Sequence, residues 1–359
     1  MSAAYIHRPV VLVPEHQVEL AEITDWAAKR YAGHPRLEVW LRVMARTTVE
    51  TRYYLRPVEA VLADEPLPER EAATSTALLA LAVEASRQAL GEAGLAASEV
   101  TDLVVSSAAW VLPGLDVALI GALGLAPTTR TVSATQYGCA GGVWGLAVAS
   151  ERVEASGGVA LVLAADPQSI HQPPAEPTSG SMVWQALIGD AVSATVITAT
   201  PPAAGGRVVE AGPEWEYVLP DTRHLVGARL EDGRRPGAGV GITLWSDPAL
   251  PRSVNRVMPP LLDWLENTAD PGTAPIPPWC STHTGGPRIL DALRVGLSLP
   301  EAELDTARDQ LARFGNVAGA ASLSVLAERM TRPPAPGTPG LVLAVGPGFR
   351  AVALRVTVR

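Results

Sequence analysis

Seven consecutive apolar residues, Val159-Ala-Leu-Val-Leu-Ala-Ala165, constrain this chain more than any other feature. A strand with one wet face alternates apolar and polar residues, whereas an unbroken run fits a strand covered on both faces, as in parallel sheets sandwiched by helices. Leu103-Val-Val-Ser-Ser107 and Val192-Ser-Ala-Thr-Val-Ile197 read as further buried strands. Helical patterns at 72–93, closing near Gly94, and at about 116–123 lie around them. The class that follows is layered α/β. The 359 residues, 47% hydrophobic, allow an extensive core in two domains or in one large duplicated one.

Residues 17–31 and 36–47 read as helices and Arg52-Tyr53-Tyr54-Leu55 as a strand. Trp110 to Gly114 reads as a turn, and residues 166–181 as a loop rich in Pro, Ser and Gly. Pro201 to Gly206 is the best internal boundary, dividing the chain into 1–205 and 206–359. The second part starts with strands at 207–211 and 217–219. It continues with a helix near 253–267, a strand ending at Trp279-Cys-Ser-Thr-His283, and helices near 287–296, 301–313 and after Asn316. Strands at 341–345 and 350–358 close it.

The formal charge is −9, with one Lys and no basic run, so a nucleic-acid role lacks support. Two cysteines without a CxxC pair and six histidines without ligand spacing argue against a structural metal. A reducing cytoplasm fits. The opening apolar run, Pro9 to Val13, lacks the length of a signal peptide or membrane span, and no later run reaches bilayer length.

Chemistry concentrates at Cys139. The run Thr131 to Thr135 is β-rich, while Val143, Leu146, Ala147 and Ser150 fall at helical spacing, so Cys139 sits where a strand turns into a helix. Unpaired N–H groups and the helix dipole there stabilise a thiolate and supply donors to an oxyanion. Gly138, Gly141 and Gly142 let backbone and substrate approach closely. The same residues also suit a small buried thiol before a tightly packed helix. Tyr137-Gly-Cys139 is echoed by Phe314-Gly-Asn316, each an aromatic-Gly-polar step before small residues, which is the trace a duplicated fold would leave. Pseudo-symmetry then puts Asn316 beside Cys139. His283, ending a strand before Gly285-Gly286-Pro287, is placed to support a thiolate, and with an Asn amide it can donate to one carbonyl oxygen. A structural His and an N-capping Asn are the plainer alternatives.

Gly138-Cys139-Ala-Gly-Gly142, His283-Thr-Gly-Gly-Pro-Arg-Ile-Leu-Asp291, Phe314-Gly-Asn-Val-Ala318 and Val345-Gly-Pro-Gly-Phe349, in that order, resemble the motifs of the type III polyketide synthases, the chalcone and stilbene synthase family. Leu112-Pro-Gly-Leu-Asp116, Ala186-Leu-Ile-Gly-Asp190 and Tyr217-Val-Leu-Pro-Asp-Thr222 extend the likeness over essentially the whole chain. The segment from Gly33 to Pro57 is most similar to bacterial enzymes resembling tetrahydroxynaphthalene synthase. The resemblance implies a thiolase fold, five-layered αβαβα with two pseudo-repeated halves. It implies Cys139 as the acyl-carrying nucleophile, and His283 and Asn316 as the pair that orients malonyl-CoA and stabilises the enolate left by decarboxylation. CoA thioesters, malonyl-CoA with or without another acyl-CoA starter, are the substrates; no cofactor is implied. Gly346, Pro347 and Gly348 match a loop shaping the cavity wall, and Ala318 lies in the Asn316 motif beside it. Leu112 matches a position that crosses a homodimer interface. Arg46 and Arg52 lie near a segment where the family binds the CoA phosphates, though a solvated surface charge explains either.

Several positions depart from the pattern. Ile188 and Leu244 stand where the family commonly has gatekeeping Phe residues. Trp184 replaces a Gly or Ser lining the cavity, and Trp110 a smaller aromatic; an inward indole at 184 shortens the chain that fits. Ser107 stands where the naphthalene-forming group tends to carry a second Cys. The expectation is iterative decarboxylative condensation to an aromatic polyketide or pyrone. A short-chain or single-step condensing enzyme, and a catalytically weak interaction partner, are the alternatives.

Overall fold

The computed structural model describes residues 3–108, 114–174, 177–202, 207–232 and 240–359. The strands β1 (Tyr5–His7), β2 (Val10–Leu12) and β3 (His16–Glu19) come first, then α1 (Leu20–Arg30), α2 (Leu37–Ala45) and β4 (Thr51–Tyr54). After α3 (Val58–Val61), the long α4 (Leu67–Ala93) ends at Gly94, whose φ of 69° supplies the left-handed cap that closes the helix. The first half is completed by β5 (Asp102–Ser106), α5 (Leu115–Leu123), β6 (Arg130–Ala134), α6 (Gly141–Ser156), β7 (Val159–Asp166), α7 (Ser179–Leu187) and β8 (Ala191–Thr198). The anticipated turn at Trp110 to Gly114 falls almost wholly outside the described residues, as do residues 203–206 of the expected boundary.

The remainder contains β9 (Val208–Val218), β10 (Val226–Asp232), β11 (Val240–Ser246), α8 (Leu250–Asn267), β12 (Trp279–Thr282), α9 (Pro287–Gly296), α10 (Asp305–Phe314), α11 (Gly319–Arg329), β13 (Pro339–Gly346) and β14 (Arg350–Val358). Two strands expected at 207–211 and 217–219 are one, with a register shift opposite Leu354 and Val356 absorbing Gly212-Pro213. The first four residues of the helix expected from residue 17 divide between β3 and α1, because residues 16–19 pair with β4.

Ten strands join in the order β12-β13-β14-β9-β1-β8-β7-β5-β6, with β2 added to β8. The antiparallel pair β1 and β9 is the seam between two copies of one pattern. In the first, β5 runs parallel to β7 and β7 antiparallel to β8; in the second, β12 runs parallel to β13 and β13 antiparallel to β14. The apolar run at 159–165 is thus a strand of a mixed sheet, parallel on one side only.

Alternation along the strands builds the layers. Leu161, Leu163 and Ala165 of β7 pack against α4 and α5, while Ala160, Val162 and Ala164 face α6 and α11. In β13, Val342 and Ala344 face that same helix pair, while Leu341, Leu343 and Val345 pack against α8, α9 and α10. Helices, sheet, helices, sheet, helices: the thiolase architecture results. The central pair crosses closely, because a Cβ on Gly142 would overlap the Gly319 carbonyl oxygen. Gly142 therefore serves helix packing rather than substrate approach. A separate apolar cluster holds α1 and α2 against Met182 and Ala186 of α7.

Candidate active site

Three loops meet where the two halves of the sheet face each other. Cys139 occupies a short helical turn, residues 138–140, between β6 and the N-terminus of α6. Asn316 follows α10 and is locked by backbone pairing: its N–H donates to the Leu187 carbonyl at 2.8 Å, and its own carbonyl accepts from Gly189 N–H at 3.2 Å. His283 extends β12, donating its N–H to the Leu343 carbonyl at 3.3 Å. Thr284 Oγ1 donates to the Gly315 carbonyl at 3.0 Å, which ties the His283 loop to the Asn316 loop.

The side chains are oriented as firmly as the backbone. Asn316 Oδ1 accepts from the Ala318 N–H at 2.9 Å, an Asx turn that leaves Nδ2 3.6 Å from Cys139 Sγ. His283 Nδ1 accepts from the Val345 N–H at 3.4 Å, so in the neutral ring the hydrogen resides on Nε2. Gly285 lies against that nitrogen, where a Cβ would overlap the ring. Two N–H donors, His283 Nε2 and Asn316 Nδ2, therefore belong to side chains lining one cavity with Cys139.

Electrostatics corrects one expectation. Burial pushes the Cys139 thiol up to about 12, offset in part by the Asn316 hydrogen bond and reinforced by Asp166. Burial also pulls His283 down to about 4. Both groups are neutral at pH 7, so His283 is no cationic partner to a resting thiolate; desolvation outweighs the helix N-terminus. Asp166 was not legible as part of the site. It ends β7, accepts N–H bonds from Ala108 at 2.8 Å and Gly319 at 2.9 Å, and is raised to about 7 by burial. Its only signal was a charge terminating an apolar run.

The cavity encloses about 370 Å³ of empty space, counting its open mouth, and is lined by Cys139, Trp184, His283, Asn316, Gly346 and Pro347 among others. Val226, Leu250, Ile289 and Phe349 are lining residues that sequence reasoning did not single out. Ile188 and Leu244 line a second, smaller chamber that shares Trp184 as a wall. Three expected cavity residues do not line either space. Ser107 donates to the Ala165 carbonyl at 2.6 Å, Ala318 is buried behind Asn316, and Gly348 gives its carbonyl to Thr222 Oγ1 at 2.8 Å. Trp110 and Leu112 lie outside the described residues.

The two arginines separate. Arg46 is exposed at the C-terminal end of α2. Arg52 is 0% exposed, donating Nη1 to the Gln185 carbonyl at 3.2 Å, which removes it from any phosphate at the surface. Because β4 alternates, Arg52 and Tyr54 point inward together. Among the described residues, no cluster of three or more His, Cys, Asp or Glu is arranged to hold a metal, and no helix is long and apolar enough to cross a membrane.

Residues 21–201 match the family model for the N-terminal domain of chalcone and stilbene synthases. A tetrahydroxynaphthalene synthase of Streptomyces peucetius subsp. caesius is 31% identical, the match covering 98% of this chain and 91% of the relative. A phloroglucinol synthase of Pseudomonas fluorescens is 28% identical over 96% of each. The solved structure of germicidin synthase from Streptomyces coelicolor, a type III polyketide synthase, superposes with a TM-score of 0.90 at 28% identity, over 100% of both chains. The chain belongs to the chalcone and stilbene synthase family. Within it the protein is a type III polyketide synthase, an acyltransferase.

Proposed function

We propose that Cys139 carries the growing acyl chain as a thioester and that His283 and Asn316 hold the malonyl-CoA thioester oxygen. The observation that carries this reading is the convergence of Cys139, His283 and Asn316 on one cavity, with both partners oriented by backbone hydrogen bonds. Attack of the Cys139 sulfur on an acyl-CoA carbonyl forms the new thioester, and the expelled CoA sulfur takes the proton the buried thiol gives up. Loss of CO2 from malonyl-CoA leaves the electron pair in an enolate whose oxygen receives the two N–H donors. The enolate carbon attacks the Cys139 thioester carbonyl and expels the sulfur as a thiolate, leaving the lengthened chain on CoA. That thiolate attacks the new CoA thioester to reload the chain, releasing CoA thiolate that takes a proton from solvent, or in the last round is itself protonated by solvent. Neutral donors suit the decarboxylation: they lower the energy of the enolate without protonating it.

In this reading the nucleophile comes from one half of the chain, 1–205, and the enolate donors from the other, 206–359. CoA thioesters suffice, without a further cofactor, and Arg46 is the candidate phosphate contact at the surface. A homodimer fits the uncovered edge strand β6, whose Arg130 and Thr131 are exposed. A reducing cytoplasm suits the free Cys139 and Cys280.

The relatives at comparable identity are named for different products, tetrahydroxynaphthalene, phloroglucinol and germicidin, so the product follows from this chain's own cavity. Trp184 stands in its wall, which favours a short chain and a small ring or pyrone over a pentaketide. The test is incubation with malonyl-CoA, alone and with an acyl-CoA panel, followed by mass spectrometry. Cys139-dependent CO2 loss with short cyclised products is expected. An aromatic pentaketide from malonyl-CoA alone would contradict the narrowed cavity, and no Cys139-dependent turnover with any starter would contradict the roles of Cys139, His283 and Asn316.

A further inference from the structure

Thr222 ends the run Tyr217-Val-Leu-Pro-Asp-Thr222 in the connection between β9 and β10, is 1% exposed, and does not line the Cys139 cavity. Its hydroxyl is nonetheless fully engaged. Oγ1 accepts the Phe349 N–H at 2.5 Å, and its single hydrogen lies between the Leu219 and Gly348 carbonyl oxygens, at 2.6 and 2.8 Å. Gly348 and Phe349 belong to the turn, residues 347–349, that joins β13 to β14. The Phe349 carbonyl completes the clamp by accepting the Leu219 N–H at 2.8 Å. Threonine suits this place, because its hydroxyl both donates and accepts while its branched Cβ restricts χ1.

The hairpin end held in this way is pressed against the nucleophile. A Cβ on Gly346 would lie 2.6 Å from the Tyr137 carbonyl oxygen and 3.0 Å from the Ala140 nitrogen, and one on Gly138 would lie 2.9 Å from Pro347 Cδ. The backbone on both sides of Cys139 therefore rests on Gly346 and Pro347. One residue earlier, the Val345 N–H is the donor to His283 Nδ1 at 3.4 Å, the bond that leaves the ring hydrogen on Nε2. Val345, Gly346, Pro347 and Phe349 all line the cavity. The turn has little of its own to hold this shape: Gly346 and Gly348 carry no side chain, and Pro347 has no N–H to donate. Its restraint comes from Thr222.

We propose that Thr222 is a positioning residue for the condensation: by pinning Gly348 and Phe349 it sets the Val345–Phe349 segment against which the Cys139 turn and the His283 ring are both registered. The inference rests on the reading in which Cys139 carries the acyl chain and His283 holds the malonyl thioester. Without the hydroxyl, the Phe349 N–H loses its acceptor in a buried place, and the turn shifts to find another. Through Pro347 and Val345 that shift reaches the sulfur and the imidazole, which belong to opposite halves of the chain and must meet one thioester in register. Thr222 touches no reacting atom. Its loss therefore misaligns a substrate that still binds, an effect on kcat rather than on KM.

The test compares Thr222→Val, which keeps the shape of the side chain and deletes the hydroxyl, with Thr222→Ser, which keeps the hydroxyl. Steady-state decarboxylation of malonyl-CoA is measured for both beside the wild type and Cys139→Ala, at a temperature where thermal melts show each protein folded. Thr222→Val is expected to lower kcat about 10- to 100-fold with KM changed less than about threefold, and Thr222→Ser to restore kcat to within about threefold of wild type. Should Thr222→Val fail to fold, Thr222→Cys, whose thiol is a weak donor and acceptor, replaces it and is expected to lower kcat below that of Thr222→Ser at unchanged KM. Wild-type kcat in the variant lacking the hydroxyl, a rise in KM alone, or a loss that Thr222→Ser does not restore overturns the positioning role, while Cys139-dependent turnover by the wild type leaves the acyl-carrier reading intact. No Cys139-dependent turnover by the wild type overturns both.

Discussion

Asn316 sets its amide nitrogen 3.6 Å from the Cys139 sulfur, while its amide oxygen, 3.7 Å from the same sulfur, also accepts the Ala318 N–H two residues on at 2.9 Å. An acceptor in the backbone turn and a donor in the cavity are thus two ends of one side chain. Asn316→Asp separates them: a carboxylate still accepts from Ala318 but cannot donate, and it adds negative charge beside the sulfur and the enolate. Malonyl-CoA decarboxylation should fall by about 10²–10³-fold, the usual effect of losing one oxyanion donor. The melting temperature should shift little. Retained activity would show that the amide donor is dispensable.

The neutral resting state has a pH signature. With Cys139 held at about 12, alkylation by iodoacetamide should be slow at pH 7 and keep rising past pH 9. A plateau between pH 6 and 8 would instead reveal a thiolate paired with a charged imidazole. Stability follows in the opposite sense at the acid end. His283 and His171 are lowered to about 4, so the unfolded chain binds more protons between about pH 4 and 6.5. Their burial stabilises the fold above that window and the stability is lost as pH falls through it, measurable by denaturant titration from pH 7 to 4.

Gly285 is the floor under the His283 ring. A methyl group there displaces Nε2, and a displacement of about 1 Å can cost on the order of 100-fold. Gly285→Ala should therefore lower kcat for decarboxylation strongly, with a smaller change in KM for malonyl-CoA. Wild-type kcat in this variant would mean that the ring does not contact the reacting thioester.

Arg46 and Arg52 make a paired test of burial against binding. Arg52→Ala removes a fully buried side chain and one of the two donors to the Gln185 carbonyl, the Gln172 amide being the other, so stability should drop by about 2–4 kcal/mol. Arg46→Ala should leave stability nearly unchanged and raise KM for malonyl-CoA severalfold. The reverse pattern, a KM effect at 52 and a fold defect at 46, would contradict the placement of both.

Much of this was legible in the chain because local chemistry and tertiary demand agree there. The unbroken run at 159–165 announced a doubly covered strand, Gly94 stopped α4, and the small residues after Tyr137 and Phe314 marked the two helices that cross at the centre. Other features were hidden for physical reasons. The β10 and β11 hairpin lies in a stretch rich in Arg and Gly with weak alternation, and only pairing with itself makes it a sheet. Arg52 reads as a surface charge until the alternation of β4 turns it inward with Tyr54. His171 and Gln172 sit in a segment that reads as a Pro-rich loop, and nothing local reports that Arg70 pins its backbone by bonds to the Ile170 and Gln172 carbonyls at 3.0 and 2.8 Å. The chamber they line with Gln185 arises from three-dimensional convergence alone.

The central claim is that the malonyl-derived chain grows on Cys139. Rapid quenching of the purified protein during turnover of malonyl-CoA, with peptide mass spectrometry, tests it most directly. An acyl mass on the Cys139 peptide, absent in Cys139→Ala and accumulating in Asn316→Asp supplied with an acyl-CoA starter, is the predicted result. Turnover with an unmodified Cys139, or acylation at Cys280 instead, would contradict it.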